Sequence, residues 1–307
     1  MGNNRKELTP KLAAEWSQMI HALYLEALMS QTDWSLKDIA FHGGTSLRFS
    51  WKSIRFSEDL DFLLSKSVEG LDRIAKKIEA AVGEMARRVD ANFVIEMKDK
   101  TKDEDRMAVY LLSVSHPGYI GKAKIKAEFW RTAPAYLQKY PTELRTPHVL
   151  ASTFDLNALT TSAVPAATLE TAYADKLVAF ATRPFVKWRD LYDLWWIGTQ
   201  TPAKLEMDSL CDQFLHNATA YNTLQGLPPE DALALFLQKD KAELLAQADP
   251  DLRNWLPENI WKRMNPDGIV QIVDYVYHAI GSVSNHIKTA SAAEVDLKSV
   301  PRRSPRP

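Results

Sequence analysis

Asp59 and Asp61 stand two residues apart in "FHGGTSLRFSWKSIRFSEDLDFLL", which runs from Phe41 to Leu64. The segment FSEDLDFLL reads as a strand, where successive side chains alternate between faces. The two carboxylates therefore share one face, while Leu60 and Phe62 point the other way into a core. Two like charges so close repel unless a cation lies between them. Mg²⁺ (or Mn²⁺) takes hard oxygen ligands of this kind and completes its shell with water and substrate phosphates. Upstream, IAFHGG reads as a short strand running into a turn, followed by a short helix over TSLRFSW. Gly43 and Gly44 let a triphosphate approach the backbone, and the helix start after them offers free N–H groups. A bare Asp-x-Asp is commonly a hairpin edge with two solvated aspartates. The longer pattern, carrying Arg55, Ser57, Asp59, Asp61 and Phe62, favours metal and phosphate.

The elements that must position these residues form a mixed α/β (α+β) unit. TPKLAAEWSQMIHALYLEALMS has a Thr cap, a Pro at the first helical position and apolar residues at helical spacing. After this helix the order is strand, helix, strand, helix, then three strands over NFVIEMK, RMAVYLLSVS and KAKIKAEFW. A Pro-rich passage from Thr132 to Pro147 is expected to close that unit. Beyond it PAATLETAYADKLVAFATR, VKWRDLYDLWWIGTQ, PPEDALALFLQKDKAELLAQ and PDGIVQIVDYVYHAIGSVSNHI read as amphipathic helices. The expected division is a sheet domain over 1–147, a helical domain over 148–290 and a disordered tail over 291–307.

Composition bounds the function. The chain has 307 residues, 46% hydrophobic and 25% charged, as an ordinary globular protein does. With 38 Lys plus Arg against 39 Asp plus Glu the net charge is −1, so nucleic-acid binding needs a local patch. Cys211 is the single cysteine, which excludes an intramolecular disulfide and a multi-cysteine zinc site and suits a reducing, cytoplasmic setting. No window approaches the roughly 18 apolar residues of a membrane span.

A site for phosphate chemistry typically takes a third carboxylate from a neighbouring strand. Glu128 in KAKIKAEFW is the candidate, with Lys122, Lys124 and Lys126 on its face by alternation. With Arg131, these lysines could line a nucleotide or RNA groove. The same face also reads as a charged edge that discourages strand addition. Arg48 and Lys52, four apart, read as a positive rim beside the phosphates or as a solvated helix face. Lys176 falls with Leu169, Tyr173 and Phe180 on an apolar stripe, from which a lysine either snorkels or reaches an anion. Asp190 and Asp193 share a helix face, where Arg189 could offset their charge. Trp188, Trp195 and Trp196 read as core, and the histidines lack ligand spacing.

Two blocks together resemble the AbiEii/AbiGii-type nucleotidyltransferase toxins, which are related to the MenT toxins and carry a polymerase-β-like nucleotidyltransferase fold. The first block is Gly44, Thr45, Asp59 and Asp61. The second is DKLVAFATRPFVKWRDLYDLWWI, with Lys176, Arg183, Arg189, Asp190 and Asp193. The resemblance implies an enzyme that uses Mg²⁺ to move an NMP from an NTP to an RNA acceptor, the tRNA 3′ end foremost, with a cognate antitoxin as partner. It implies Asp59, Asp61, Lys176 and Asp190 as catalytic residues and Gly44, Thr45, Arg48, Lys126 and Asp193 as substrate-binding ones. Asp59, Asp61 and Glu128 are the implied metal ligands. It further implies that the helical domain completes the active site. Transfer to a protein hydroxyl, or a non-catalytic nucleotide-binding module, are the alternatives.

Overall fold

The computed structural model describes residues 5–149, 154–156 and 158–299. The chain forms two compact units, Met1–Ala172 and Tyr173–Pro307.

In the first unit Thr9 starts helix α1 (Pro10–Ser30). Its side chain accepts from the Leu12 N–H at 3.3 Å, and Pro10 takes a first-turn position. Trp16, Ile20, Tyr24 and Leu28 bury one stripe of α1, and Met19, Leu23 and Leu25 bury others, so the helix is core on most sides. The remaining helices are α2 (Gly43–Trp51), α3 (Leu71–Val89) and the short α4 (Pro134–Leu137). The strands are β1 (Lys6–Glu7), β2 (Ile39–His42), β3 (Asp59–Ser65), β4 (Val94–Asp99), β5 (Met107–Ser115), β6 (Tyr119–Ile120), β7 (Ala123–Thr132), β8 (Thr142–Arg145) and β9 (Val164–Ala167). Seven of them form one mixed sheet in the order β4-β5-β7-β3-β2-β9-β8, and β1 pairs with β6.

The register of the central strands is set by aromatic packing. Phe41, Phe62 and Phe129, from β2, β3 and β7, are buried side by side, with centroids 5.1 and 4.9 Å apart. Each buried ring contributes about 2 kcal/mol. A one-residue slip of β3 would expose Phe62 and drive Asp59 and Asp61 into the core.

The sheet extends past its expected end. Thr132–Pro147 contains β8, and VPAA, read in sequence as the start of a helix, is the fully buried strand β9, parallel to β2 and antiparallel to β8. The first unit therefore reaches Ala172 instead of stopping at 147.

Helix α5 (Leu169–Thr182) crosses the division between the units. The second unit is helical: α6 (Trp188–Gln200), α7 (Met207–Ala218), α8 (Pro229–Ala234), α9 (Lys241–Ala246), α10 (Ala248–Leu252), α11 (Glu258–Met264) and α12 (Asp267–Ser299). PPEDALALFLQKDKAELLAQ is not one helix: α8 tightens into a 3₁₀ turn over Leu235–Gln238, and Asp240 then caps α9. Ile269, Val273, Val276, Ile280, Val283 and Ile287 bury one stripe of α12. That helix runs through the first part of the expected tail to Ser299, and 300–307 lie outside the described residues. Among the described residues no helix is long and apolar enough to cross a membrane.

Candidate active site

In the first unit the alternation of β3 holds as expected. Leu60 and Phe62 are fully buried, and Asp59 and Asp61 lie on the partly open face. The parallel neighbour β7 sets Lys126 opposite Asp59 and Glu128 opposite Asp61. Lys126 bridges two carboxylates, its Nζ 3.2 Å from Asp59 Oδ2 and 2.9 Å from Glu128 Oε1. Partial burial works to lower the Lys126 pKa, but the hydrogen bonds and charges of Glu128 and Asp59 outweigh it and hold the ammonium above the ordinary lysine value.

The glycine turn meets the aspartates directly. Gly43 has φ +74°, and a Cβ there would sit 2.6 Å from Asp61 Oδ2, so only glycine fits. A Cβ at Gly44 would collide with the Arg55 guanidinium instead. Thr45, expected to hold phosphate, is fully buried. Its Oγ1 hydrogen-bonds the Ser57 hydroxyl at 2.8 Å and the Asp59 carbonyl, which ties the start of α2 to the start of β3. It positions Asp59 through the backbone.

Arg48, expected as a positive rim beside the phosphates or a solvated helix face, is not solvated: it is 5% exposed, with Nη1 donating to the Ile54 and Arg55 carbonyls at 3.2 and 3.1 Å and Nη2 to Gln18 Oε1 at 3.0 Å. Burial, and secondly the charge of Arg55, lower its pKa to about 10. Arg48 staples the loop before β3 to α1. A second staple comes from His21 on α1, which sequence reasoning passed over. Its Nε2 lies 2.8 Å from the Glu58 carbonyl, to which it must donate. Full burial overrides that bond and lowers the His21 pKa to about 4, so the ring is neutral.

The four residues of the expected basic groove are engaged differently. Lys126 is engaged as described, and Lys122 pairs with Glu96 at 2.7 Å. Arg131, of opposite parity to the lysines, donates to the Val68 carbonyl at 2.6 Å. Lys122 and Lys124 are both exposed on that face.

In the second unit Lys176 lies 2.8 Å from Asp190 and 2.7 Å from Asp193, and Arg183 reaches Asp190 at 2.6 Å. These cations, not Arg189, offset the aspartates; Arg189 stacks on Trp255 with its guanidinium carbon 4.6 Å from the ring. Asp190 is 5% exposed and Asp193 fully buried, and Asp193, expected to bind substrate, holds the Lys176 ammonium. Trp188 and Trp196 are core, as expected, and Trp195 is half-buried. Lys187, unremarked in sequence, is pushed below the ordinary lysine value by partial burial and then by Arg189 and Arg183, marking an electropositive stretch.

Among the described residues no three His, Cys, Asp or Glu side chains form a ready metal cage. The donor chemistry of Asp59 and Asp61 nonetheless fits Mg²⁺, which needs only one or two carboxylates when phosphates and water complete its shell. Glu128, the expected third ligand, is engaged with Lys126 and would join by releasing it.

Residues 25–263, which include every site residue named above except His21 and Gln18, match the family described as nucleotidyl transferase AbiEii toxin, type IV toxin–antitoxin system. Among curated proteins none matches. Among solved structures the chain is similar to JHP933 from Helicobacter pylori, at 15% identity and TM-score 0.53, covering 95% of this chain and 100% of that one. It is also similar to a candidate nucleotidyltransferase from H. pylori, at 16% identity and TM-score 0.50, covering 92% and 99%. A third likeness is to MenT4, a nucleotidyltransferase toxin from Mycobacterium tuberculosis H37Rv, at 21% identity and TM-score 0.48, covering 67% of this chain. There the chain spans 65% of the MenT4 chain, just under two thirds. At these identities the H. pylori likenesses show a shared fold.

Proposed function

The chain belongs to the AbiEii family of nucleotidyl transferase toxins of type IV toxin–antitoxin systems, and on that premise we propose that it moves an NMP from an NTP onto an RNA hydroxyl, at the tRNA 3′ end. The observation that carries this reading is the placement of Asp59 and Asp61 on the open face of β3, with the glycine turn that starts α2 pressed against Asp61.

In the proposed reaction the acceptor oxygen forms a bond to the α-phosphorus, the bridge to the β-phosphate breaks, and pyrophosphate leaves. Asp59 and Asp61 would hold Mg²⁺, whose charge stabilises the transferring phosphoryl group when it is bound. The N–H groups that begin α2, whose N-cap His42 gives no side-chain cap, would donate to phosphate oxygens. Thr45 fixes the height of Asp59, while Arg48 and His21 hold the loop that delivers it. Lys126 supplies positive charge at the same face and exchanges Asp59 or Glu128 for phosphate. In the second unit, Lys176 and Asp190 act on substrate only if phosphate displaces one of the carboxylates that Lys176 now holds. The cognate antitoxin that the family implies would oppose this activity.

The test incubates purified protein with labelled NTPs and total RNA. The expected outcome is labelled RNA with wild type and a loss of roughly 10³-fold with Asp59→Ala and with Asp61→Ala. Sequencing of tRNA 3′ ends then reads the added nucleotide. Label that survives both substitutions sinks the mechanism, and label on protein instead of RNA moves the acceptor to a protein hydroxyl.

A further inference from the structure

At the far end of α2 from the glycine turn lies a cleft of about 420 Å³ between the end of that helix and the edge strand β8. Its lining combines cationic, hydroxyl and apolar groups, chiefly Ser50, Lys52, Leu144, Arg145, His148 and Thr160, and among the described residues it includes no carboxylate. Three observations indicate that the cleft is built. Ser50 is 4% exposed, lines the cleft, and its Oγ has no hydrogen-bond partner among the described residues. Ser46 and Ser53 are likewise without a partner among the described residues, and of the three only Ser50 lines the cleft, where a ligand would satisfy it. Arg145 is held in place, with its guanidinium carbon 4.0 Å from the centre of the Trp51 ring and its Nε donating to the Ser50 carbonyl at 3.3 Å. Its Nη1 makes a long ion pair with Glu143 Oε1 at 3.8 Å, partly exposed and so easily exchanged for another anion. Lys52 is exposed at the C-terminal cap of α2, where its φ of 66° closes the helix with its N–H donating to the Leu47 carbonyl, and its ammonium makes no ion pair among the described residues.

We infer that this cleft binds a backbone phosphate of the single-stranded nucleic acid whose 3′ end is the acceptor, with Lys52 and Arg145 on the phosphate, the Ser50 hydroxyl donating to it, and Leu144 against a base. The identification of the strand as the acceptor rests on the nucleotidyl-transfer reading; the phosphate chemistry of the cleft does not. Nine residues of α2 separate the cleft from the glycine turn by roughly 12 Å, a span of about three to four stacked nucleotides. That separation suits an upstream phosphate of a strand whose end reaches the turn.

The test measures binding of a twelve-nucleotide RNA with a blocked 3′ end, by fluorescence anisotropy over a salt series, so that no turnover is needed. Lys52 is exposed, so Lys52→Ala is expected to fold as wild type, and Arg145→Lys keeps the charge while removing the planar stack. The expected result is weaker RNA binding in both, with the slope of log K against log salt reduced by about 0.7 for Lys52→Ala. Affinity for a non-hydrolysable NTP analogue is expected to stay unchanged. RNA affinity and salt slope that match wild type in both variants overturn the inference. So does a loss confined to the NTP analogue, which would make the cleft part of the nucleotide site. Inorganic phosphate that binds wild type but not Lys52→Ala, with no RNA binding at all, also overturns it in favour of a free anion. RNA binding that depends on Lys52 in a protein showing no transfer would refute the transfer reading and leave the cleft standing.

Discussion

Two lysines in this chain each hold a pair of carboxylates, and they do so under opposite conditions. Lys126 spans Asp59 and Glu128 on a partly open sheet face, with side chains 36%, 41% and 18% exposed. Lys176 spans Asp190 and Asp193 with side chains 12%, 6% and 0% exposed. Water near Lys126 screens the pair, so its carboxylates can exchange the ammonium for another cation at little cost. The same exchange at Lys176 would leave charge in a poorly solvated interior. One arrangement is thus suited to letting ligands come and go, and the other to holding a geometry.

The largest test of that contrast is Lys176→Met. Removing the cation shared by Asp190 and Asp193 is expected to cost about 3–5 kcal/mol in chemical denaturation. A stable variant that has lost only NTP affinity would place Lys176 on the substrate side instead. His21, equally buried but neutral, probes the first unit next. Its folded pKa of about 4 lies below the ordinary 6.5, so the unfolded chain binds more protons between these values. Its neutral burial stabilises the fold fully above pH 6.5, and that contribution is lost as pH falls toward 4, on the order of 3 kcal/mol. In His21→Asn the slope of stability against pH over this window should flatten; an unchanged slope would assign it to other groups. The smallest effect is Lys126→Met, expected to change stability by less than about 1 kcal/mol. The Mg²⁺ concentration that half-saturates activity should fall, because Asp59 and Glu128 lose their competing ammonium. A half-saturation equal to wild type would mean that Lys126 does not contend with the metal.

The parts of the fold readable from sequence were those governed by local periodicity. The faces of β3 follow from alternation at Asp59, Leu60, Asp61 and Phe62, and α1 from its cap and Pro10. What escaped was decided by distant partners. Val164–Ala167 resembles a helix start because Pro165 suits a first turn, and only pairing with β2 and β8 makes it a strand. Arg48 looked solvated because arginine is charged, but carbonyls six and seven residues later fold back onto it. The partners of Lys176 lie 14 and 17 residues on, in α6, beyond the reach of any single-helix pattern. In the candidate site the carboxylates were legible as a pair, whereas the neutralising role of Lys126 required the β3–β7 register.

Gly43 turns the candidate site into a genetic target. Any missense change at its codon adds a side chain where Asp61 leaves no room. If the chain arrests growth when expressed alone, survivors of that arrest should carry substitutions at this codon more often than at its neighbours, in protein that still accumulates to normal levels. A census of such survivors would read the packing of one turn without purifying the protein.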